Sequence, residues 1–161
     1  MRIWLLALLA LAVSAAAAQD FPPGGKPQWV ELVSSSTPVI QVAATGGAKT
    51  TLEFRVKPQM HINSHQPHSG LLIPTELALS APKGITLQPQ YPAGHDINLP
   101  FESEKLSVYT GEFSIEVNVQ AKGTSPVKVM VPAELKYQAC NDNSCFPPKT
   151  LKFELEVQVA Q

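Results

Sequence analysis

Val127 to Gln138 reads VKVMVPAELKYQ, and Leu151 to Val159 reads LKFELEVQV. In the first stretch Val127, Val129, Val131, Ala133, Leu135 and Tyr137 alternate with a set that includes Lys128, Glu134, Lys136 and Gln138. In the second, Leu151, Phe153, Leu155, Val157 and Val159 alternate with Lys152, Glu154, Glu156 and Gln158. A period of two belongs to a strand with one buried face, because successive side chains leave opposite sides of a sheet. Phe113, Ile115, Val117 and Val119 repeat the pattern against Ser114, Glu116, Asn118 and Gln120. Shorter strands are predicted further out, at Val30 and Leu32, at Val39 to Val42 and at Thr51 to Val56. Two more fall at Glu76 to Leu79 and Ile85 to Leu87, parted by the turn signal Pro82-Lys83-Gly84. No amphipathic helix longer than a turn or two is visible. About eight strands with Gly and Pro between them predict an all-β antiparallel sandwich. Phe54, Val117, Val129, Leu135, Phe153 and Leu155 are expected to face inward.

Composition agrees. The chain has 161 residues, of which 15 are Pro, about twice the usual share of roughly 5%. An interior Pro costs a helix about 3 kcal/mol, so a helical bundle is excluded. With 12 Lys+Arg against 13 Asp+Glu the net charge is −1, which excludes a polybasic nucleic-acid binder. A hydrophobic share of 44% excludes global disorder. Two Cys exclude a four-cysteine zinc ribbon and a multi-disulfide miniprotein.

The N-terminus reads as an export signal. Arg2 gives a positive start, Ile3 to Val13 an apolar core, and Ala16-Ala17-Ala18 a small-residue cleavage site. The apolar run falls short of the ~20 residues that span a bilayer, and none follows that is long enough. Residues 1–18 are therefore expected to be a cleaved signal peptide. Residues 19–28 read as a flexible lead-in, and residues 29–161 as one domain with no transmembrane segment. Export places both Cys in an oxidising compartment.

The two Cys lie in Tyr137-Gln-Ala-Cys140-Asn-Asp-Asn-Ser-Cys145-Phe-Pro-Pro148, between the two strongest strands. Asn141 to Ser144 is a polar turn, so a hairpin is expected with the Cys pair at its mouth. Facing hairpin residues are within disulfide reach. A static staple is one reading. Closing this six-residue ring is worth only about 2 kcal/mol, against ~4.7 for a 100-residue loop. Strand parity places Cys140 with Lys136 and Gln138 on the polar face. An accessible small-loop disulfide is the kind that exchanges with thiols. Staple and redox pair both stay open on this physics. Lys136 and Lys149 are candidates for lowering a thiol pKa, though both also read as solvated lysines.

The run YQACNDNSCFPP resembles the Y-x-x-C…C-x-P-P signature of the N-terminal periplasmic domain of DsbD, the thiol:disulfide interchange protein. VKPQMHIN at Val56 to Asn63, Gly70, Pro74-Thr75, Tyr91-Pro92 and Val108-Tyr109-Thr110-Gly111 fit the same family more loosely. The similarity runs from about Trp29 to Val159, and the sequence reads as a stand-alone version of that domain. The resemblance implies an immunoglobulin-like fold in the periplasm. It implies that Cys140 and Cys145 cycle between dithiol and disulfide, with Cys145 meeting partners. Electrons would come from a thioredoxin-like protein or a membrane electron carrier and pass to periplasmic disulfide proteins. No cofactor is implied. The family shields its disulfide with an aromatic cap loop. The matching loop here is Gly94 to Lys105, with Phe101 as the lid. A core-anchoring Phe is the plainer reading of that residue.

Two other functions compete. One is a non-catalytic β-sandwich binding or assembly module with a structural disulfide. The other is a metal-binding protein, because His61, His65 and His68 fall close together, with Met60 beside them and His95 elsewhere. Pro67 and Gly70 deny these histidines a helical face and no acidic second shell is obvious, so no metal ligands are assigned. No Ser/His/Asp pattern, phosphate loop or paired-carboxylate site is present.

Overall fold

The computed structural model describes residues 28–34, 37–99, 104–123 and 125–160. Residues 1–18, expected to be a signal peptide, nearly all of the expected lead-in, and Phe101 lie outside the described residues. Those described contain twelve strands and no helix. No described helix is long and apolar enough to cross a membrane.

Three sheets of four strands organise the domain. The first holds β1 (Val30–Leu32), β3 (Gly47–Val56), β9 (Glu112–Ala121) and β6 (Ile85–Gln90), in the order β1-β3-β9-β6. The second holds β2 (Val39–Ala43), β12 (Lys149–Ala160), β10 (Val127–Tyr137) and β5 (Glu76–Leu79), in the order β2-β12-β10-β5. Their apolar rows form one core. Leu52, Phe54, Ile115 and Val117 from the first sheet and Leu135, Tyr137 and Leu155 from the second are all fully buried within it. Phe54 meets Phe153 edge-on across the sandwich at 5.9 Å and stacks on Phe113 at 5.4 Å. Val129 and Phe153 are half-buried and pack against the same core. All six residues expected to face inward therefore do so, and the all-β sandwich is the observed fold.

The long antiparallel pairs follow the alternation residue for residue, as in Leu135↔Leu151 and Val131↔Leu155. One pair departs from antiparallel. β2 runs parallel to β12, from Glu156↔Val39 to Ala160↔Ala43. The chain thus changes sheets between β1 and β2.

The third sheet was not predicted. It contains β4 (His61–Asn63), β8 (Leu106–Tyr109), β7 (His95–Ile97) and β11 (Ala139–Cys140), in the order β11-β4-β8-β7. These strands are only two to four residues long, and β4, β8 and β11 are buried at every position. A strand without a wet face has no period-two signal, which is why alternation did not reveal them. Ile62, Tyr109 and Ala139 of this sheet are part of the main core. Tyr109 on β8 stacks on Phe113 at 4.8 Å and so joins it to the core.

Candidate functional site: the cysteine turn

The site is built on the edge of this third sheet. β10 ends at Tyr137, whose partner is Lys149 on β12. Gln138 leaves the ladder, and the chain re-enters pairing as β11 in a different sheet, with Ala139↔Ile62 and Cys140↔His61. That break resets the strand parity. Cys140 is therefore not on the polar face with Lys136 and Gln138; it is fully buried. The Cys pair also lies beyond the β10–β12 hairpin, on a smaller turn of its own.

Cys140 and Cys145 face each other as an isolated antiparallel bridge and are joined by a disulfide, with Cα atoms 3.9 Å apart. The turn between them is locally encoded. The Asn141 Oδ1 accepts the N–H groups of Asn143 and Ser144, each at 2.9 Å, and its own N–H donates to the Ser144 carbonyl at 2.9 Å. An Asx turn of this type lets a short side chain stand in for a backbone carbonyl. The Phe146 N–H then donates to the Ala139 carbonyl at 2.8 Å, closing the loop just outside the disulfide. Cys145 is exposed while Cys140 is not.

A polar chain fixes this loop from beneath. The buried Asn63 side chain donates to the Ile73 carbonyl at 3.0 Å and to Gln138 Oε1 at 3.2 Å. Gln138 Nε2 donates in turn to the Phe146 carbonyl at 3.3 Å. Thr75 Oγ1 donates to the Asn63 carbonyl at 2.6 Å. Beside Cys145, Phe146 packs on Trp29 with ring centroids 5.2 Å apart. The backbone N–H of Trp29 donates to the buried Tyr137 hydroxyl at 3.1 Å.

The lysines take other roles. Lys149 lies 6.0 Å over the Trp29 ring. Lys136 sits exposed on the second sheet, in register with Glu76 and Thr150. The histidines are not brought together. His65 stacks on Tyr91 at 3.6 Å, and its Nδ1 is 3.0 Å from the Thr75 carbonyl. His68 pairs with Asp96 at 2.7 Å, which holds that carboxyl below its usual range. His95 Nε2 lies 3.2 Å from Thr110 Oγ1. Among the described residues no group of three His, Cys, Asp or Glu could hold a metal ion.

His61, singled out in the sequence only as a possible metal ligand, is the neighbour of Cys140 that sequence reasoning missed. It is 4% exposed, directly opposite Cys140, and its Nε2 is buried with no hydrogen-bond partner among the described residues. Burial pushes its pKa down, with nearby Asp142 opposing and His95 adding to the shift. Its place in QMHIN offered no signal, because the pairing with Cys140 arises only from the third sheet. A pocket of about 520 Å³ opens beside it, lined by Asp142 of the cysteine turn and by Ile97, Asn98 and Leu99, which fall within the Gly94 to Lys105 stretch expected to form a cap.

The scattered stretches of loose family similarity converge here. VKPQMHIN supplies β4, Thr75 holds Asn63, and Tyr109 donates its hydroxyl to the Pro92 carbonyl at 2.9 Å. Gly111 adopts a left-handed φ of 56° and accepts the Val56 N–H at 2.8 Å.

An all-β sandwich that presents a disulfide on a short, half-exposed turn fits the class of thiol–disulfide interchange modules. The chain belongs to the family "Thiol:disulfide interchange protein DsbD, N-terminal", whose model matches residues 30–157. Its immunoglobulin-like fold is that of this family. Similar solved structures are distant. The N-terminal periplasmic domain of ScsB from Proteus mirabilis is 15% identical with a TM-score of 0.49, over 70% of this chain and 42% of that one. The DsbD N-terminal domain in complex with the PilB N-terminal domain, from Neisseria meningitidis, is 18% identical at TM-score 0.45, over 73% and 80%. The reduced DsbD N-terminal domain of the same organism is 16% identical at 0.42, over 73% and 86%. No curated protein matches the chain.

Proposed function

We propose that this domain is a periplasmic electron carrier that works by thiol–disulfide interchange through Cys140 and Cys145. It takes electrons from a thioredoxin-like donor or a membrane electron carrier and passes them to periplasmic disulfide proteins. The observation that carries this reading is the asymmetry of the pair: Cys145 is exposed and Cys140 is fully buried, so only one sulfur is open to in-line attack. A donor thiolate attacks the Cys145 sulfur, the disulfide breaks, and its electron pair leaves on Cys140. The donor's second thiolate then attacks its own sulfur in the mixed disulfide and releases Cys145. The domain ends as a dithiol and the donor as a disulfide. Delivery runs the same steps in reverse. The Cys145 thiolate attacks the client disulfide, and Cys140 resolves the mixed disulfide. The cap loop around Phe101 is proposed to shield Cys145 between these encounters.

The competing reading is a binding module with a structural disulfide. Trapping separates the two. Cys140→Ala keeps the attacking thiol and removes the resolving one, so a thioredoxin-like partner disulfide should be captured as a stable mixed disulfide at Cys145. A variant that captures nothing, while the wild-type disulfide resists a thioredoxin-like dithiol, would favour the binding module.

A further inference from the structure

We propose that the imidazole of His61 is the proton partner of the Cys140 sulfur, its Nε2 unpartnered in the disulfide form and hydrogen-bonded to that sulfur in the dithiol form. This inference rests on the interchange reading above. Directly opposed residues of an antiparallel pair project from the same face with Cβ atoms about 4.5–5.5 Å apart. Cys140 and His61 are such a pair, and both are buried. Reduction sends an electron pair to Cys140, the sulfur that water cannot reach. A buried thiolate needs a donor or a proton, and the residue opposite it is His61, while Lys136 and Lys149 are in register with Thr150 and Tyr137. His61 Nε2 is buried and unpartnered. Leaving a buried polar atom unpaired is costly, so the orphan calls for an occupant that the disulfide form lacks. A Cys140 thiol or thiolate fills that vacancy.

The surroundings suit a neutral imidazole. Burial favours the uncharged ring, and His95 pushes the same way, while Asp142 in the cysteine turn pulls toward the cation. Arg55, Lys57 and Glu112 line the same pocket, and Arg55 is already paired with Glu112 at 2.7 Å. A neutral ring donates Nε2–H to the new thiolate or relays to it the proton that the donor thiol gave up to become nucleophilic. The balance closes: the donor loses two thiol protons and Cys140 and Cys145 gain two.

The test uses the thiol of Cys140 directly. In a Cys145→Ser background, thiolate absorbance gives the Cys140 titration with His61 present and with His61→Leu. Loss of the partner should raise that titration by about one pH unit or more, as expected for a hydrogen bond to a charged group. Reduction of the intact disulfide by dithiothreitol should slow by about tenfold in His61→Leu. Titrations and rates unchanged by the substitution would overturn the proposal. A second measurement needs no substitution at His61. In the wild-type protein the ¹⁵N resonance of His61 Nε2 should move between oxidised and reduced forms, and an unmoved resonance would also overturn it. If dithiothreitol reduces the wild-type disulfide only by unfolding the domain, the interchange reading fails instead, while the Cys140 titration still decides whether His61 is its partner.

Discussion

Cys140 and Cys145 sit in one covalent ring yet meet different solvents. Burial of Cys140 makes a hydroxyl a poor replacement there, since burying it unpaired costs about 1–3 kcal/mol. The disulfide itself is worth only about 2 kcal/mol, because the ring it closes is short. Cys140→Ala/Cys145→Ser should therefore stay folded, with a urea midpoint lowered by a loss of about 2–4 kcal/mol. Histidine gives a second expectation. The folded pKa of His61 lies below its ordinary value of about 6.5, so on acidification the unfolded chain takes up the proton first. Stability linked to His61 is fully present above pH ~7 and falls as pH drops through ~6.5 toward the folded value. Urea melts at pH 7 and 5 should show a smaller loss in His61→Leu than in the wild type; equal losses would refute it. For the proposed cap, Phe101→Ala should speed reduction of the disulfide by a small thiol while shifting the melting temperature by only a few degrees. An unchanged rate would leave Phe101 with no shielding role. Cys140 and Cys145 were plain in the sequence, as was the turn between them. His61 was not, because its role depends on a cross-strand register between residues 79 positions apart.

At the scale of elements, what alternation revealed was the sandwich and what it concealed was the sheet that carries the site. β9, β10 and β12 each have one wet face, and their period of two could be read directly. β4 and β11 are buried on both sides and too short to show any period. The expected parity of Cys140 failed for the same reason, since counting along β10 assumes that the strand continues past Tyr137. Ile62 and Ala139 seat β4 and β11 in the core, and a chain of polar side chains adds a second hold. Asn63 links Thr75, Ile73, Gln138 and, through Gln138, the carbonyl next to Cys145. Asn63→Ala removes the donor to two of these acceptors and should cost about 1–3 kcal/mol. It should also loosen the cysteine turn, seen as faster amide exchange at Phe146. Exchange unchanged at Phe146 would show that the turn is fixed without the chain of side chains beneath it.

For the whole molecule, the proposed carrier must survive in both redox states, and a core spanning two full sheets makes that feasible. A domain of this size has a stability of about 5–15 kcal/mol, well above the contribution of the ring. The corresponding expectation is a reduction potential in the range of exchange proteins, roughly −270 to −120 mV, whereas structural disulfides lie below about −300 mV. Equilibration in glutathione and dithiothreitol buffers measures it, and a value below that limit would assign Cys140–Cys145 to structure. The parallel seating of β2 beside β12 has a consequence of another kind. Val39 to Ala43 pair, among the described strands, with residues 156 to 160. During synthesis, every residue up to 155 can emerge while β2 still has no strand to lie against. The second sheet therefore closes only once residues 156 to 160 have emerged. A nascent chain of this domain should remain threadable and open to proteases until β12 is released.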